Sequence, residues 1–231
     1  MKTLIALLYC LCAMDAALGA DPVLKVAGNQ ATRAYESALV ALYKEAGLVP
    51  EFVYLPPERA LKSLERGQVD ADFARVVGAT AGYQNMVELT EPISETTLLA
   101  VVRKGSAITA LSPSGLKLHQ VGLLRGTKMA EGLMAKQGAL AIVANTTPQL
   151  YDMLIHQRFE VALTSSAVPV PEEFASSVTV LAQPLATAKL VHVLCKKWRA
   201  YGPKLDAALK TLKSDGRWSR LLAQAPLAAI D

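Results

Sequence analysis

Cysteine and histidine are scarce in this chain of 231 residues. It contains three of each, and His119, His156 and His192 are isolated, without the spacing of metal ligands. The Gly-x-Ser-x-Gly sequence of a serine-nucleophile turn is also missing. The sequence therefore indicates no metal centre, no cofactor and no serine-hydrolase chemistry.

Aromatic residues are also few, at 6%, and the net charge of +4 is spread thinly along the chain. The densest basic cluster is only the stretch from Lys196 to Arg199. A nucleic-acid-binding protein concentrates its basic residues on one face beside stacking aromatics, so we expect no nucleic-acid partner. The mild positive charge favours anionic small molecules or an anionic membrane surface, and both remain open.

Long apolar runs are absent except near the amino terminus. Lys2 precedes an almost wholly apolar run, Leu4 to Met14, and small residues follow up to Ala20. This order is typical of a secretory signal peptide, and it predicts cleavage after Ala20. The run is too short for a transmembrane helix, which needs about 20 residues. We therefore expect residues 1–20 to be removed during export to the periplasm.

The positions of the cysteines support a free exported chain. Cys10 and Cys12 lack the preceding small residue of a lipoprotein site, which disfavours a lipid anchor. After cleavage only Cys195 remains, so an internal disulfide is impossible. The remaining chain of about 210 residues is long enough for one large domain or two small ones.

Strand and helix patterns alternate along the mature chain. The strands are predicted at 24–27, 52–55, 69–77, 120–124, 139–144, 159–163, 178–181 and 190–194. The helices are predicted at 34–46, 148–157, 203–213 and 217–223. Two more are predicted, one from Pro57 or Glu58 to near Gly67 and one from the turn at Arg125 to Thr127 as far as Gln137. This repeated order predicts an α/β fold with parallel strands.

Several short segments, each weak alone, occur in a characteristic order and spacing. They are Leu55 to Leu61, Gly67 to Ala71, Leu89 to Ile93, Val101 to Gly105, Val121 to Thr127 and Leu212 to Gly216. Together they resemble the type 2 periplasmic solute-binding proteins, specifically the amino-acid-type receptors of ABC importers. The resemblance covers nearly the whole mature chain.

This resemblance implies a two-lobed fold of periplasmic-binding-protein type II, each lobe a mixed, mostly parallel sheet flanked by helices. The first lobe would be discontinuous, with residues 21–101 and 189–231, and the second would hold residues 102–188. Strands near Leu99 to Val102 and Ala188 to Val193 would cross between the lobes as a hinge, and hinge closure around a ligand is a known motion.

Six residues are candidate ligand contacts. Arg75 is placed at the carboxyl end of a strand, and Arg59 follows the start of a helix; either guanidinium suits a carboxylate. Gly126 and Thr127 precede a helix whose free N–H groups favour an anion, although the Thr127 hydroxyl could instead cap that helix. The other two candidates are Asn29, after the first strand, and Glu58.

Two departures from the family's pattern affect the expected ligand. The family's Thr-x-x-Arg segment is replaced by Arg75-Val76-Val77-Gly78. The aspartate that holds the ligand's ammonium is missing from the region reading Leu163 to Ser166. A plain α-amino acid is therefore less secure as ligand than a carboxylate or another small polar solute.

The resemblance implies a monomeric receptor that delivers a small polar solute to a membrane importer permease, without enzymatic activity. Two alternatives remain. A few relatives on this fold are dehydratases, so an enzyme is conceivable, and Glu58 is the only candidate acid or base. The third hypothesis is a ligand-sensing module that presents its solute to a membrane partner.

Overall fold

The computed structural model describes residues 20–224. The predicted signal peptide therefore lies outside the described residues, apart from the exposed Ala20. The strands are β1 Val23–Gly28, β2 Val49–Tyr54, β3 Ala71–Val76, β4 Met86–Glu88, β5 Ser94–Arg103, β6 Val121–Leu124, β7 Ala141–Ala144, β8 Val161–Ser165, β9 Val178–Val180 and β10 Ala186–Cys195. The α-helices are α1 Glu36–Glu45, α2 Pro57–Glu65, α3 Lys128–Lys136, α4 Thr147–Ile155, α5 Glu172–Ala175, α6 Gly202–Ser214 and α7 Arg217–Ala223. Short 3-10 helices lie at Gln30–Tyr35, Pro113–Leu118 and Lys196–Tyr201.

The ten strands form one mixed sheet in the order β2-β1-β3-β10-β5-β8-β6-β7. At one end β2, β1 and β3 run parallel, and at the other end β8, β6 and β7 run parallel. Between these groups, β10 and β5 pair antiparallel with each other and with the neighbouring strands β3 and β8. The short strands β4 and β9 pair with β10 and β5. The α/β class and the two mostly parallel groups are confirmed.

Buried apolar side chains divide between the two halves of this sheet. In the first half, buried residues between 24 and 93 pack with buried residues between 190 and 218. Helix α1, near the amino terminus, therefore contacts α6 and α7, near the carboxyl terminus. In the second half, the buried residues all fall between 98 and 185. The fold thus has two lobes with separate cores. The exact boundaries at residues 101/102 and 188/189 stay a prediction.

The long strands β5 and β10 join the two lobes. Leu190 and Leu194 of β10 lie in the first core, whereas Leu98 and Val102 of β5 lie in the second. The two strands are hydrogen-bonded neighbours from the pair Leu190 and Ser94 to the pair Ala186 and Leu98. Both connections between the lobes are therefore strands of the shared sheet. Among residues 20–224, no helix combines the length and apolar character needed to cross a bilayer.

Some elements differ from the sequence-based expectation. Strand β2 begins at Val49 and includes Pro50, which is tolerated because β2 lies at the sheet edge, where one side needs no ladder hydrogen bond. The segment expected to open the first helix is part of the 3-10 helix Gln30–Tyr35. A capping box between Asn29 and Thr32 fixes that turn. Strand β4 was not predicted, since three residues carry too little periodicity.

A buried polar cluster connects α1 to β10 inside the first core. His192 is fully buried, and its Nε2 lies 2.8 Å from the Tyr43 hydroxyl. Its Nδ1 lies 3.1 Å from the carbonyl oxygen of Phe73 on β3. Because a carbonyl only accepts, Nδ1 carries the proton and donates to Phe73, and Nε2 accepts from Tyr43. Burial lowers the pKa of His192 from 6.5 to about 4, so the ring is neutral.

Candidate ligand-binding site

A cavity of about 510 Å³ lies between the two lobes. Its first wall is formed where β1, β2 and β3 end, and its second wall where β6, β7 and β8 end. Residues of the joining strands, Thr96, Leu98 and Leu190, also contribute to the lining. The carboxyl ends of parallel strands are the usual place for ligands in open α/β sheets. A cavity of this size suits a small molecule.

Arg75 lines the cavity and is 8% exposed. Its Nε and Nη2 donate to one oxygen of Asp72, at 2.8 and 2.5 Å, and Nη2 also donates to the Pro57 carbonyl at 3.0 Å. Burial raises the pKa of Asp72, and the Arg75 guanidinium opposes that rise. Nη1 has no hydrogen-bond partner among the described residues. Arg75 therefore lies at the cavity as predicted, and Asp72 and the Pro57 carbonyl hold one end of its guanidinium.

Asn29 also lines the cavity, at the end of β1. Its Oδ1 accepts from the Thr32 backbone N–H at 3.2 Å, which leaves the amide nitrogen without a described partner. The next residue of the same turn, Arg33, was missed by sequence reasoning. It lines the cavity, is exposed, and places its guanidinium carbon 4.4 Å from the ring centroid of Tyr54. The Asn29-x-x-Thr32 capping signal after a strand could have indicated this turn.

Gly126 and Thr127 lie at the cavity as predicted, but the start of α3 is already used. The Gly126 N–H donates to Glu131 Oε1 at 2.8 Å, so the expectation that this group is free for an anion is wrong. The reason is that Glu131, one turn into α3, brings its own carboxylate to the helix start. The Thr127 hydroxyl forms no cap hydrogen bond, so of its two predicted roles only contact with a ligand remains.

Lys128 is a further lining residue on the second-lobe wall. Its Nζ lies 2.8 Å from Glu131 and 3.6 Å from Glu58 of the first lobe. Burial lowers the pKa of Lys128, but the two carboxylates outweigh that effect and raise it above its ordinary value. Lys128 is therefore a cation whose charge is balanced by nearby acids.

Glu58 and Arg59 do not line the cavity. Glu58 is half-buried at its edge, paired with Lys128 across the lobes and with Lys62 at 3.5 Å. A Cβ atom on Gly126 would lie 2.6 Å from the Glu58 backbone nitrogen, so the lobes touch there. Arg59 is exposed and has no side-chain hydrogen bond or ion pair with any described residue. The structure therefore brings together four of the six predicted residues.

Hydroxyl groups line much of the remaining wall. Thr96 of β5 and Ser165 at the end of β8 lie with their oxygens 2.5 Å apart, across the joining strands. Thr146 caps α4 by accepting from the Gln149 N–H at 3.2 Å. These residues supply neutral donors and acceptors. Prolines such as Pro56 and Pro148 supply apolar surface.

The charged groups of the lining all have the same sign. Arg33, Arg75 and Lys128 line the cavity, and no aspartate or glutamate does so among the described residues. The carboxylates of Asp72, Glu58 and Glu131 lie behind or beside the lining, paired with Arg75 and Lys128. The cavity therefore favours an anionic or neutral polar group over a cation.

Comparison with known proteins gives one family. The sequence model of the bacterial extracellular solute-binding proteins, family 3, matches residues 36–225. No curated protein matches the chain.

Many solved structures share the fold. An ancestral arginine-binding protein bound to arginine has a TM-score of 0.74 at 16% identity, over 90% of this chain and all of that one. The arginine-, lysine-, histidine-binding protein ArtJ from Geobacillus stearothermophilus has a TM-score of 0.72 at 19% identity, over 88% and 94%. A histidine kinase sensor domain similar to periplasmic binding proteins has a TM-score of 0.76 at 15% identity, over 92% and 99%.

Proposed function

Since the chain belongs to the bacterial extracellular solute-binding proteins, family 3, we propose that it is an exported receptor for a small polar solute. In this proposal it binds the solute in the periplasm, as a monomer, by closing its two lobes. It then delivers the solute to a membrane importer of the ABC type. Members of the matched family and the similar structures are binding proteins, which supports this proposal over an enzymatic one.

The observation that carries the proposal is the cavity of about 510 Å³ between the lobes. Both lobes contribute strand ends to it, so a ligand there contacts both at once. Glu58 of the first lobe and Lys128 of the second lie 3.6 Å apart at its edge. A ligand that touches both walls stabilises the closed arrangement relative to an open one, which is how binding shifts such an equilibrium.

The proposed ligand is carboxylate-like or amino-acid-like. Arg75 supports this, because its Nη1 has no partner among the described residues while the rest of the guanidinium is held by Asp72 and Pro57. A guanidinium fixed in this way is oriented before the ligand arrives. A charge-assisted hydrogen bond to a carboxylate contributes roughly 1.5–3 kcal/mol.

The test is a thermal-shift screen of the purified mature chain with amino acids, carboxylates and polyamines. A ligand at 100 times its dissociation constant stabilises the native state by about 2.7 kcal/mol, which raises the melting temperature by several degrees. If no solute of such a screen moves the melting temperature, the proposal is wrong.

A matched pair of variants on α3 locates the binding. Lys128→Gln alters a lining residue, whereas Lys136→Gln alters an exposed lysine two turns further along the same helix. We expect the first variant to weaken the affinity for the solute found in the screen and the second to leave it unchanged. Equal affinities in both variants would place the solute elsewhere.

A ligand-sensing module is the second candidate, because the fold is shared with a histidine kinase sensor domain. The two roles separate in cells. Deleting the gene of a transport receptor abolishes uptake of the identified solute, whereas deleting that of a sensor changes gene expression and leaves uptake intact. The enzyme alternative loses support, since Glu58, its only named acid or base, does not line the cavity and is paired with Lys62 and Lys128.

A further inference from the structure

The charge distribution around the cavity narrows the chemical class of the ligand. Three cations, Arg33, Arg75 and Lys128, line the cavity. Two of them are already balanced: Arg75 by Asp72 at 2.5 Å, and Lys128 by Glu131 at 2.8 Å. Arg33 differs, because no described carboxylate lies within ion-pair distance of its guanidinium. The cavity therefore carries one unbalanced positive charge on its first-lobe wall.

Arg33 is held in place although it lacks a carboxylate partner. Its guanidinium lies over the ring of Tyr54 at 4.4 Å from the centroid, a distance at which a cation is attracted to the ring face. The turn that carries it is fixed by the reciprocal hydrogen bonds of Asn29 and Thr32, at 2.9 and 3.2 Å. The charge is thus oriented by contacts that leave its N–H groups available.

A ligand ammonium has no charged partner among the described residues that line the cavity. No carboxylate belongs to the lining in the described part of the chain, and the three lining cations repel a positive group. The lining hydroxyls, such as those of Thr96 and Ser165, which lie 2.5 Å apart, offer an ammonium neutral acceptors but no negative charge. Removing an ammonium from water without a charged partner is strongly unfavourable.

We infer that the cavity selects a small anion that carries no ammonium group, such as an aliphatic dicarboxylate, and that Arg33 binds its charge. This inference rests on the proposed function and specifies its ligand class. Arg33 lies before residue 36, where the family match begins. Its proposed role as a ligand contact therefore rests on the geometry of this chain and not on that match. Arg75 Nη1, on the neighbouring strand end, suits a second acidic group of the same ligand.

The decisive experiment compares ligands that differ by one ammonium group. Isothermal titration calorimetry of the mature chain measures succinate against L-aspartate and glutarate against L-glutamate, with L-arginine as a cationic comparison. We expect the better of the two dicarboxylates to bind at least about tenfold more tightly than its amino-acid counterpart, because the unpaired ammonium opposes binding. L-Arginine is expected to bind more weakly still.

Variants test the residue. Arg33→Gln removes the unbalanced charge and is expected to weaken dicarboxylate binding at least about tenfold. Arg33→Lys keeps a positive charge and is expected to recover part of the loss. Arg66→Gln is the matched control, since Arg66 is exposed at the end of α2 and does not line the cavity. A melting temperature close to that of the unaltered chain shows that each variant is folded.

Three results would overturn the inference: an amino acid or L-arginine that binds as tightly as the dicarboxylates, an Arg33→Gln variant with unchanged affinity, or no binding of either dicarboxylate. In each case the proposed function stands if another solute binds with an affinity that depends on Lys128. Only the absence of binding across the wider screen counts against both.

Discussion

His192 gives the sharpest prediction about stability, because it is a neutral histidine buried on a strand that joins the lobes. It donates to the Phe73 carbonyl and accepts from the Tyr43 hydroxyl, at 3.1 and 2.8 Å. Protonation at Nε2 would place a positive charge in the apolar first core and remove the acceptor that Tyr43 uses. Acidification below about pH 6.5 is therefore expected to destabilise the protein.

The magnitude follows from the difference in pKa between the two states. The folded chain holds His192 at a pKa of about 4, and the ordinary value is 6.5. Because the unfolded chain binds the proton more readily, the free energy of unfolding falls as the pH drops from about 6.5 to 4. One pKa unit corresponds to 1.36 kcal/mol, so the loss is roughly 2 kcal/mol at pH 5 and approaches 3 kcal/mol near pH 4.

The assay is urea unfolding of the mature chain at several values between pH 7 and 5, followed by tryptophan fluorescence. The control is His192→Gln, whose amide retains a donor and an acceptor but does not titrate. Other groups also titrate, Asp72 among them, so the measured quantity is the difference in pH dependence between the two proteins. If both lose the same free energy between pH 7 and 5, the assignment of this effect to His192 is refuted.

Two further predictions concern the edge of the cavity. Gly126→Ala puts a Cβ atom 2.6 Å from the Glu58 backbone nitrogen, at a residue with φ of +83°. We expect it to lower the free energy of unfolding by about 1–2 kcal/mol, measured by urea unfolding, and to weaken ligand binding, measured by calorimetry. Unchanged binding would contradict contact between the lobes at Gly126. Glu131→Gln removes the carboxylate beside Lys128 while retaining an acceptor for the Gly126 N–H. It is expected to tighten anion binding a few-fold, measured by calorimetry at low salt. Weaker binding would show that the position Glu131 gives to Lys128 contributes more to affinity than the negative charge of Glu131 removes.

The sequence allowed the fold to be predicted because its strongest signals are local. Helix α2 begins at Pro57 and ends before Gly67, as the Pro-Pro and glycine punctuation indicated. Strand β10 extends from Ala186, four residues before the predicted start, because its first half pairs with β5. That pairing joins residues far apart in the sequence, so periodicity within one segment does not reveal it.

The site was predicted only in part, for a similar reason. Arg75 follows from its place at a strand end, which a pattern shows. Whether the Gly126 N–H is free depends on the rotamer of Glu131, five residues away. Arg33 and Arg59 both follow recognisable turn residues in the sequence. Which of the two side chains faces the cavity depends on how each turn packs against the rest of the protein. The sequence pattern does not show that packing, and in the structure Arg33 lines the cavity whereas Arg59 does not.

The core of the first lobe has a consequence for the order in which the protein folds. That core joins Leu24 and Leu39 to Leu209 and Trp218, so its members are separated by most of the chain. The second core, in contrast, is complete once residue 185 has been synthesised. During synthesis the amino-terminal part must therefore wait, with apolar surface exposed, until the last helices emerge. We therefore expect the nascent chain to expose the apolar surface of the first lobe to chaperones for longer than that of the second lobe.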